Sequence, residues 1–173
     1  MNDRKDVLIL LVHPDIKTSK ANAALINAVK DFPYVKIINM YDEPFVAETY
    51  KDAFAEARNI VFQFPLYWAS SPYLLKKWCD EIFGSIQANP GVKGKKLMVV
   101  ATVGSEYEAY RAGGRNQFTI DELFRPYQVT ANHSGMIWKT PFAVYGTSLP
   151  DADKRIQTGA NAYRKVISDL VNK

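Results

Sequence analysis

Six consecutive apolar residues, Val7-Leu8-Ile9-Leu10-Leu11-Val12, constrain the fold of this chain more than any other feature. A strand that is apolar at every position has no polar face to turn toward water. It therefore belongs inside a parallel sheet that is covered on both sides. Parallel neighbours need crossover connections, usually helices, and the rest of the chain supplies that alternation. Ser19 to Asp31 reads as a helix, with Ala21, Leu25, Ala28 and Phe32 near helical spacing and Pro33 marking its end. Tyr34 to Met40 reads as a second strand, Glu48 to Arg58 as a helix ended by Asn59, and Ile60 to Phe64 as a third strand. Pro72 to Phe83 is amphipathic, with Ser71 as its expected N-cap, Pro72 at the first helical position and Gly84 as its stop. Lys96 to Thr102 reads as a fourth strand and Val103 to Phe118 as a long functional loop. Thr119 to His133 is partly helical with an interruption at Pro126, and Met136 to Tyr145 is a fifth strand in which Pro141 predicts an edge position or a bulge. Asp151 to Val171 closes the chain as a helix, with Ile156, Ala160, Tyr163, Ile167 and Leu170 on one face.

Strands and helices in strict alternation predict an α/β fold with a doubly wound, five-stranded parallel sheet and helices on both faces. The flavodoxin-like strand order 2-1-3-4-5 is the natural candidate, and it places a ligand crevice between strands one and three. With 173 residues and no repeat, linker or low-complexity stretch, residues 1–173 are expected to form one domain.

Composition excludes several function classes. The net charge of +4 comes without any long Lys/Arg block, so no nucleic acid partner is expected. Lys93, Lys95 and Lys96 form the densest basic patch, read as a solvated turn. The segment Met1-Asn2-Asp3-Arg4-Lys5-Asp6 followed by Val7 to Val12 lacks the long apolar block of a secretory signal, and no run is long enough for a membrane span, so a cytoplasmic location is expected. The single cysteine, Cys79, shares a helical face with Leu75, Trp78, Ile82 and Phe83 and is read as buried and inert.

Three loops that follow strands carry the candidate chemistry. His13 to Asn22 runs into a helix N-terminus, whose free N–H groups and partial positive charge suit a phosphate. Thr18 and Ser19 add hydroxyls, Asn22 an amide one turn into the helix, and Lys17 and Lys20 charge. The plainer alternative is that Ser19 merely caps the helix and His13 is an ordinary loop residue. The second loop, Pro65-Leu66-Tyr67-Trp68-Ala69-Ser70-Ser71-Pro72, offers aromatics that can stack on a planar ring, or that pack in the core or against a second subunit. The third, Thr102-Val103-Gly104-Ser105, is small enough for the backbone to approach a ligand, or is a simple turn. Beyond it, Tyr107, Tyr110, Arg111, Arg115 and Asn116 can orient a substrate or pass a proton, or form a solvated flap. The first loop is neither a P-loop nor a G-x-G-x-x-G fingerprint. It lacks the nucleophilic Cys of a low-molecular-weight tyrosine phosphatase, and Pro65 stands where a receiver domain needs Asp. No cluster has metal-ligand spacing, so no metal is expected.

Taken as a set, these residues resemble the flavodoxin-like NAD(P)H quinone oxidoreductase family. The likeness is closest to its bacterial branch of general stress flavoproteins and ancillary proteins of glutathione-regulated potassium-efflux systems. The matching pieces are Leu10-Leu11-Val12-His13-Pro14, Ser19-x-x-Asn22, Gln63-Phe64-Pro65-Leu66-Tyr67-Trp68, Pro72-x-Leu74-Leu75-Lys76-x-Trp78-x-Asp80, Gly94-Lys95, Tyr110-x-x-Gly113-Gly114, Gly135-Met136 and Pro141-Phe142. Where the family usually carries Thr-Thr-Gly-Gly, this chain has Thr102-Val103-Gly104-Ser105. Its loop from Gly84 to Gly91 and the segment around Tyr41 to Pro44 are shorter than usual.

The resemblance implies a flavin mononucleotide (FMN) site built from His13, Ser19, Lys20, Ala21, Asn22, Pro65, Leu66, Tyr67, Trp68, Ala69, Thr102, Val103, Gly104 and Ser105, with Tyr110 as the catalytic candidate. Within it, Ser19 and Asn22 are expected to hold the phosphate, Leu66 and Trp68 the ring, and Gly104 and Ser105 its pyrimidine edge. It also implies NADPH or NADH as co-substrate, two-electron transfer to a quinone-like acceptor, and a homodimer with the substrate pocket near the subunit boundary. A flavin-binding regulatory subunit of a membrane potassium transporter is the alternative. A one-electron shuttle flavodoxin fits less well, because such proteins are typically acidic and this chain has a pI of about 9.0.

Overall fold

The computed structural model describes residues 5–172; Met1 to Arg4, part of the reading that this chain lacks a leader, and Lys173 lie outside the described residues. The sheet has the order β2-β1-β3-β4-β5, with β6 also paired to β4, and every neighbouring pair is parallel. Its strands are β1 (Val7–Leu11), β2 (Val35–Asn39), β3 (Asn59–Pro65), β4 (Lys96–Val103), β5 (Ile137–Trp138) and β6 (Phe142–Tyr145). The helices are α1 (Lys20–Val29), α2 (Glu48–Glu56), α3 (Tyr73–Trp78), α4 (Gly84–Gln87), α5 (Ile120–Leu123), α6 (Arg125–His133) and α7 (Ala152–Asn172). The expected doubly wound fold and strand order are therefore present.

The apolar run of β1 divides by alternation. Val7 and Ile9 face α1 and α7, meeting Leu25, Val29, Tyr163 and Ile167. Leu8 and Leu10 face the other way, into a cluster with Tyr50, Phe54, Trp78, Phe124 and Tyr127. Both faces of the strand are dry, as its sequence requires.

The fifth strand is both an edge and a bulge. Leu97 on β4 pairs with Trp138 and Val100 pairs with Phe142. Two residues of β4 thus oppose three, Lys139, Thr140 and Pro141, and the ring without an N–H sits where the ladder is broken.

Other local expectations need correction. Ser71 does not cap α3: Pro72 holds the cap position with ψ 146, and Tyr73 begins the helix. Gly84 does not stop it, because Gly84 keeps right-handed helical angles and a π turn over Cys79–Phe83 leads straight into α4. The interruption expected at Pro126 falls two residues earlier, at Phe124, which separates α5 from α6; Pro126 itself sits in the first turn of α6, where a missing N–H costs nothing. Lys95 is buried rather than solvated, its Nζ donating to the Ala55 and Ala57 carbonyls at the end of α2. Cys79 is half-buried, and burial pushes its thiol up to about 12, which keeps it unreactive.

Candidate active site at the carboxyl ends of the strands

β1, β3 and β4 end together, and the loops leaving them meet above a buried polar floor. Gln63 on β3 is fully buried in an otherwise apolar strand. Its Oε1 accepts from the Tyr163 hydroxyl of α7 at 3.0 Å. Its Nε2 donates to the backbone oxygen and Oδ1 of Asn22, both at 3.3 Å. Asn22 Nδ2 in turn donates to Thr102 Oγ1 at 2.8 Å. One chain of hydrogen bonds therefore ties α7, β3, α1 and β4 together beneath the loops. This corrects the reading of Asn22 as a phosphate ligand: its side chain has no exposure and faces Gln63 and Thr102, and its backbone N–H is taken by Ser19 Oγ at 3.1 Å.

Above this floor the first loop is open for an anion. Ser19 caps α1, and among the described residues no group accepts from the Lys20 or Ala21 N–H. These are the orphan donors that every helix start leaves. Thr18 is exposed, its hydroxyl donating to the Asp15 carbonyl at 2.9 Å. The Lys20 ammonium lies 3.4 Å from Asp153 on α7, so its charge is partly shared. His13 is buried, and its Nδ1 accepts from the Asp15 N–H at 3.1 Å. Burial holds its pKa below the ordinary value, against a smaller opposing pull from Asp15. The neutral ring then carries its proton on Nε2, as a donor.

The second loop is a tight turn. Tyr67 and Ser70 exchange backbone hydrogen bonds of 2.8 and 3.0 Å, while Trp68 and Ala69 both adopt left-handed angles, φ 47 and φ 64. For residues with a Cβ this costs about 1–2 kcal/mol each, and a turn of this type ordinarily selects Asn and Gly. The strain projects Trp68 entirely into solvent, at 101% exposure. Pro65 pairs with Thr102, and the Leu66 N–H donates to the Thr102 carbonyl at 2.9 Å, so the turn stands at the carboxyl end of the sheet. The ring of Tyr67 meets that of His13 edge-on at 6.5 Å, joining the first two loops.

In the third loop, Thr102 and Val103 are buried and Gly104 and Ser105 partly open. The segment from Gly146 to Ser148 covers Gly104 so closely that an added Cβ would lie 2.9 Å from Ser148 Oγ. Arg115 Nη2 donates to Ser105 Oγ at 2.7 Å. Tyr107 and Tyr110 belong to a short 3-10 turn, and both rings pack on Tyr145, whose hydroxyl is pushed up to about 12 chiefly by burial.

A cavity of about 440 Å³ joins the second loop to the segment beyond the third. Leu66, Trp68, Ala69, Tyr110, Asn116, Phe118 and Leu123 line it. The structure thus brings Leu66, Trp68, Ala69 and Tyr110 to one wall. Ser19, Lys20 and Ala21 stand at the start of α1, the last two with unused N–H groups, and His13 meets Tyr67 at the end of β1; neither they nor Thr102 to Ser105 line this cavity. Phe118 was missed because the irregular segment before α5 gives no period from which to read the direction of a side chain, and Leu123 because it ends a four-residue helix too short to show one. Gln63 and Tyr163 were also missed as supports; the visible sign was a polar amide within an apolar strand. Among the described residues no group of His, Cys, Asp and Glu can hold a metal ion, and no helix is long and apolar enough to cross a membrane.

Comparison with known proteins gives a consistent picture. A family model described as flavodoxin-like fold matches residues 5–167. The uncharacterized NAD(P)H oxidoreductase YdeQ of Bacillus subtilis (strain 168) is 39% identical over 97% of this chain and 89% of its own length. The glutathione-regulated potassium-efflux system ancillary protein KefG of Serratia proteamaculans is 34% identical over 84% of each chain. Among solved structures, general stress protein 14 of Treponema denticola in complex with FMN superposes with a TM-score of 0.84 and 25% identity, covering 95% of this chain and 99% of that one. An NADPH-quinone reductase from P. pentosaceus gives a TM-score of 0.79 at 29% identity, covering 93% and 96%.

Proposed function

This chain belongs to the family with the flavodoxin-like fold, and from that premise we propose that it is an FMN-dependent NAD(P)H oxidoreductase that passes two electrons to a quinone-like acceptor. One observation carries the reading. An open helix start with a neutral histidine donor and a rigid aromatic turn over a cavity stand side by side at the carboxyl ends of β1 and β3. That is the crevice where this topology binds ligands.

The residues present fit FMN. The Lys20 and Ala21 N–H groups, the Ser19 hydroxyl and His13 Nε2–H would hold the phosphate. Leu66, Trp68 and Ala69 would form one wall for the ring system. Gly104 lets the backbone come close, and Gly104 and Ser105 would donate to the pyrimidine edge, with the Arg115 guanidinium bonded to Ser105. The chemistry supplied by a bound flavin is acceptance of a hydride and its return to a second substrate. What this chain's own residues do is position the reactants and exclude water. Tyr110 lines the cavity, with its ring packed on Tyr145, and would orient a substrate or donate a proton there.

The exposed aromatics favour a homodimer. Tyr67, Trp68, Tyr73 and Phe118 are all well exposed, and exposed apolar surface near a site commonly marks an interface. A second copy covering Trp68 would complete the cavity wall. A cytoplasmic location belongs to the same reading. The similarity to KefG supports a second reading, a flavin-binding subunit associated with a potassium-efflux transporter.

The test is anaerobic. Protein loaded with FMN is mixed with NADPH or NADH while the flavin absorption band is followed. Bleaching that a quinone restores is the expected result. A retained flavin that neither nucleotide bleaches favours the regulatory reading, and failure to retain FMN rejects both.

A further inference from the structure

We propose that a cavity between the bulged edge of the sheet and the last turns of α7 binds a small amphipathic carboxylate, an apolar body that carries one negative charge. The site is separate from the flavin crevice and does not depend on the reading given to that crevice.

The bulge makes the space. Trp138 pairs with Leu97 and Phe142 with Val100, so Met98 and Val99 on β4 stand opposite a stretch, Lys139 to Pro141, that has left the regular pairing. Alternation along β4 directs Met98 toward the α1 and α7 side and Val99 toward the other. α7 covers that side with Val166, Asp169 and Leu170, spaced to share one helix face. A cavity of about 360 Å³ lies between, lined by these three, by Lys96 and Met98, and by the chain from Lys139 to Phe142. That volume is at the small end of the range for ligand pockets.

The walls are apolar and held in place. Met98 and Leu170 are buried, while Pro141, Phe142 and Val166 are half-buried. The Phe142 ring stacks on that of Tyr163 at 5.7 Å, and the Tyr163 hydroxyl is itself fixed by Gln63. A wall ordered in advance loses little freedom when a ligand arrives.

The charges select the ligand. Lys96, Lys139 and Asp169 all line the cavity and are all half-buried. Among the described residues none of their charged groups has a hydrogen-bond or ion-pair partner. Elsewhere on α7 the opposite holds, since Arg155 clasps Asp151 and Arg164 clasps Asp31. A half-buried lysine lays its stem along apolar surface and keeps its ammonium at the water boundary. An apolar body would therefore fill the cavity and leave its charge among the ammonium groups. Two ammoniums against one carboxylate leave a single net positive charge, which suits a monoanion. A phosphate dianion would be repelled more strongly by Asp169. Lys96 and Val103 mark the two ends of β4, so this cavity and the third loop of the candidate active site lie about 20 Å apart along one strand.

Calorimetry of the full chain with octanoate and with 1-octanol, which share an apolar body and differ in charge, tests the proposal. Both titrations are repeated with excess FMN. One octanoate should bind per chain, with or without FMN, about tenfold or more tighter than octanol, the scale of one charge-assisted bond. The double variant Lys96→Gln, Lys139→Gln should lose that preference while still binding octanol. Asp169→Asn should tighten octanoate severalfold and leave octanol unchanged, which a merely structural aspartate would not do. Val166→Phe should weaken both ligands about tenfold or more by filling the cavity, and Thr140→Trp, at the exposed rim, replaces it if melting curves show that it does not fold. Absence of saturable octanoate binding overturns the proposal, as does a preference that the lysine variant keeps. Octanoate binding that FMN abolishes, or that neither filling variant weakens, places the ligand elsewhere and overturns it too. No turnover is followed, so a chain that fails to reduce a flavin leaves this inference standing.

Discussion

The floor of the site and the turn above it are built on opposite terms, although both stand at the carboxyl ends of the paired strands β3 and β4. In the floor, Asn22, Gln63 and Tyr163 are without solvent exposure, and their side chains are joined by hydrogen bonds. In the turn, Trp68 and Ala69 hold left-handed angles that side chains disfavour, and Trp68 touches almost nothing of its own chain. The floor contributes stability and fixes where the loops begin. The turn gives up stability to hold an aromatic surface in one orientation. Strain of this kind persists only where surrounding structure over-determines it, and here the floor provides that support.

The largest effect should come from breaking the floor. Gln63→Leu removes the acceptor of a buried Tyr163 hydroxyl and the donor to Asn22 in one step. Each orphaned polar group costs about 1–3 kcal/mol, so the variant should lose about 3–5 kcal/mol. At about 2–4 °C per kcal/mol for a chain of this size, its melting midpoint should fall by roughly 10 °C. Tyr163→Phe, which orphans only the Gln63 Oε1, should lose about 1–3 kcal/mol. Urea denaturation of both variants decides the point. A Gln63→Leu protein as stable as the wild type would show that the network is not what holds the loops.

The same contrast explains what the sequence could convey. The strands were legible because burial on both faces needs unbroken apolar runs, and the bulge was legible because Pro141 cannot donate to a ladder. The floor was not, because its partners are distant in the chain: Tyr163 and Gln63 are 100 residues apart. Asn22 looked like a ligand for a related reason. An amide one turn into a helix is equally suited to reach outward or to brace inward, and only the position of Thr102 on β4 decides between them. The left-handed turn was unreadable because Trp68-Ala69 carries none of the Gly or Asn chemistry that normally announces it. The continuation of α3 past Gly84 was hidden for the opposite reason, since glycine permits a helix stop without requiring one.

Intermediate effects should come from the turn, and there stability and binding should separate. Trp68→Ala removes an exposed ring, so folding stability should change by less than about 0.5 kcal/mol. FMN affinity should nevertheless weaken about tenfold, the scale of one lost aromatic stack. Ala69→Gly relieves one left-handed residue and should raise stability by about 1 kcal/mol, with FMN affinity little changed if the turn keeps its shape. Thermal melts of the apoprotein, paired with fluorescence titration of FMN, read both quantities. Destabilisation by Ala69→Gly would mean the turn is not strained, and unchanged affinity in Trp68→Ala would remove Trp68 from the binding wall.

The smallest effect concerns His13, which meets the ring of Tyr67 and accepts from the Asp15 N–H in the loop leading to α1. Its folded pKa lies below the ordinary value near 6.5, because burial disfavours the charged ring. The unfolded chain therefore binds more protons than the folded one over the interval between the two values. By linkage, stability is fully present above about 6.5 and declines as pH falls through that interval. Apoprotein stability should drop between pH 7 and pH 5, and the drop should be smaller in His13→Gln, which cannot titrate. A bound phosphate should reduce the drop in the wild type, because a dianion facing Nε2–H favours the protonated ring and raises the folded pKa. Melting curves of wild type and variant at both pH values, with and without FMN, measure this. A wild-type slope that FMN leaves unchanged would place the phosphate away from His13, and would reassign that end of the site to the Lys20 and Ala21 N–H groups alone.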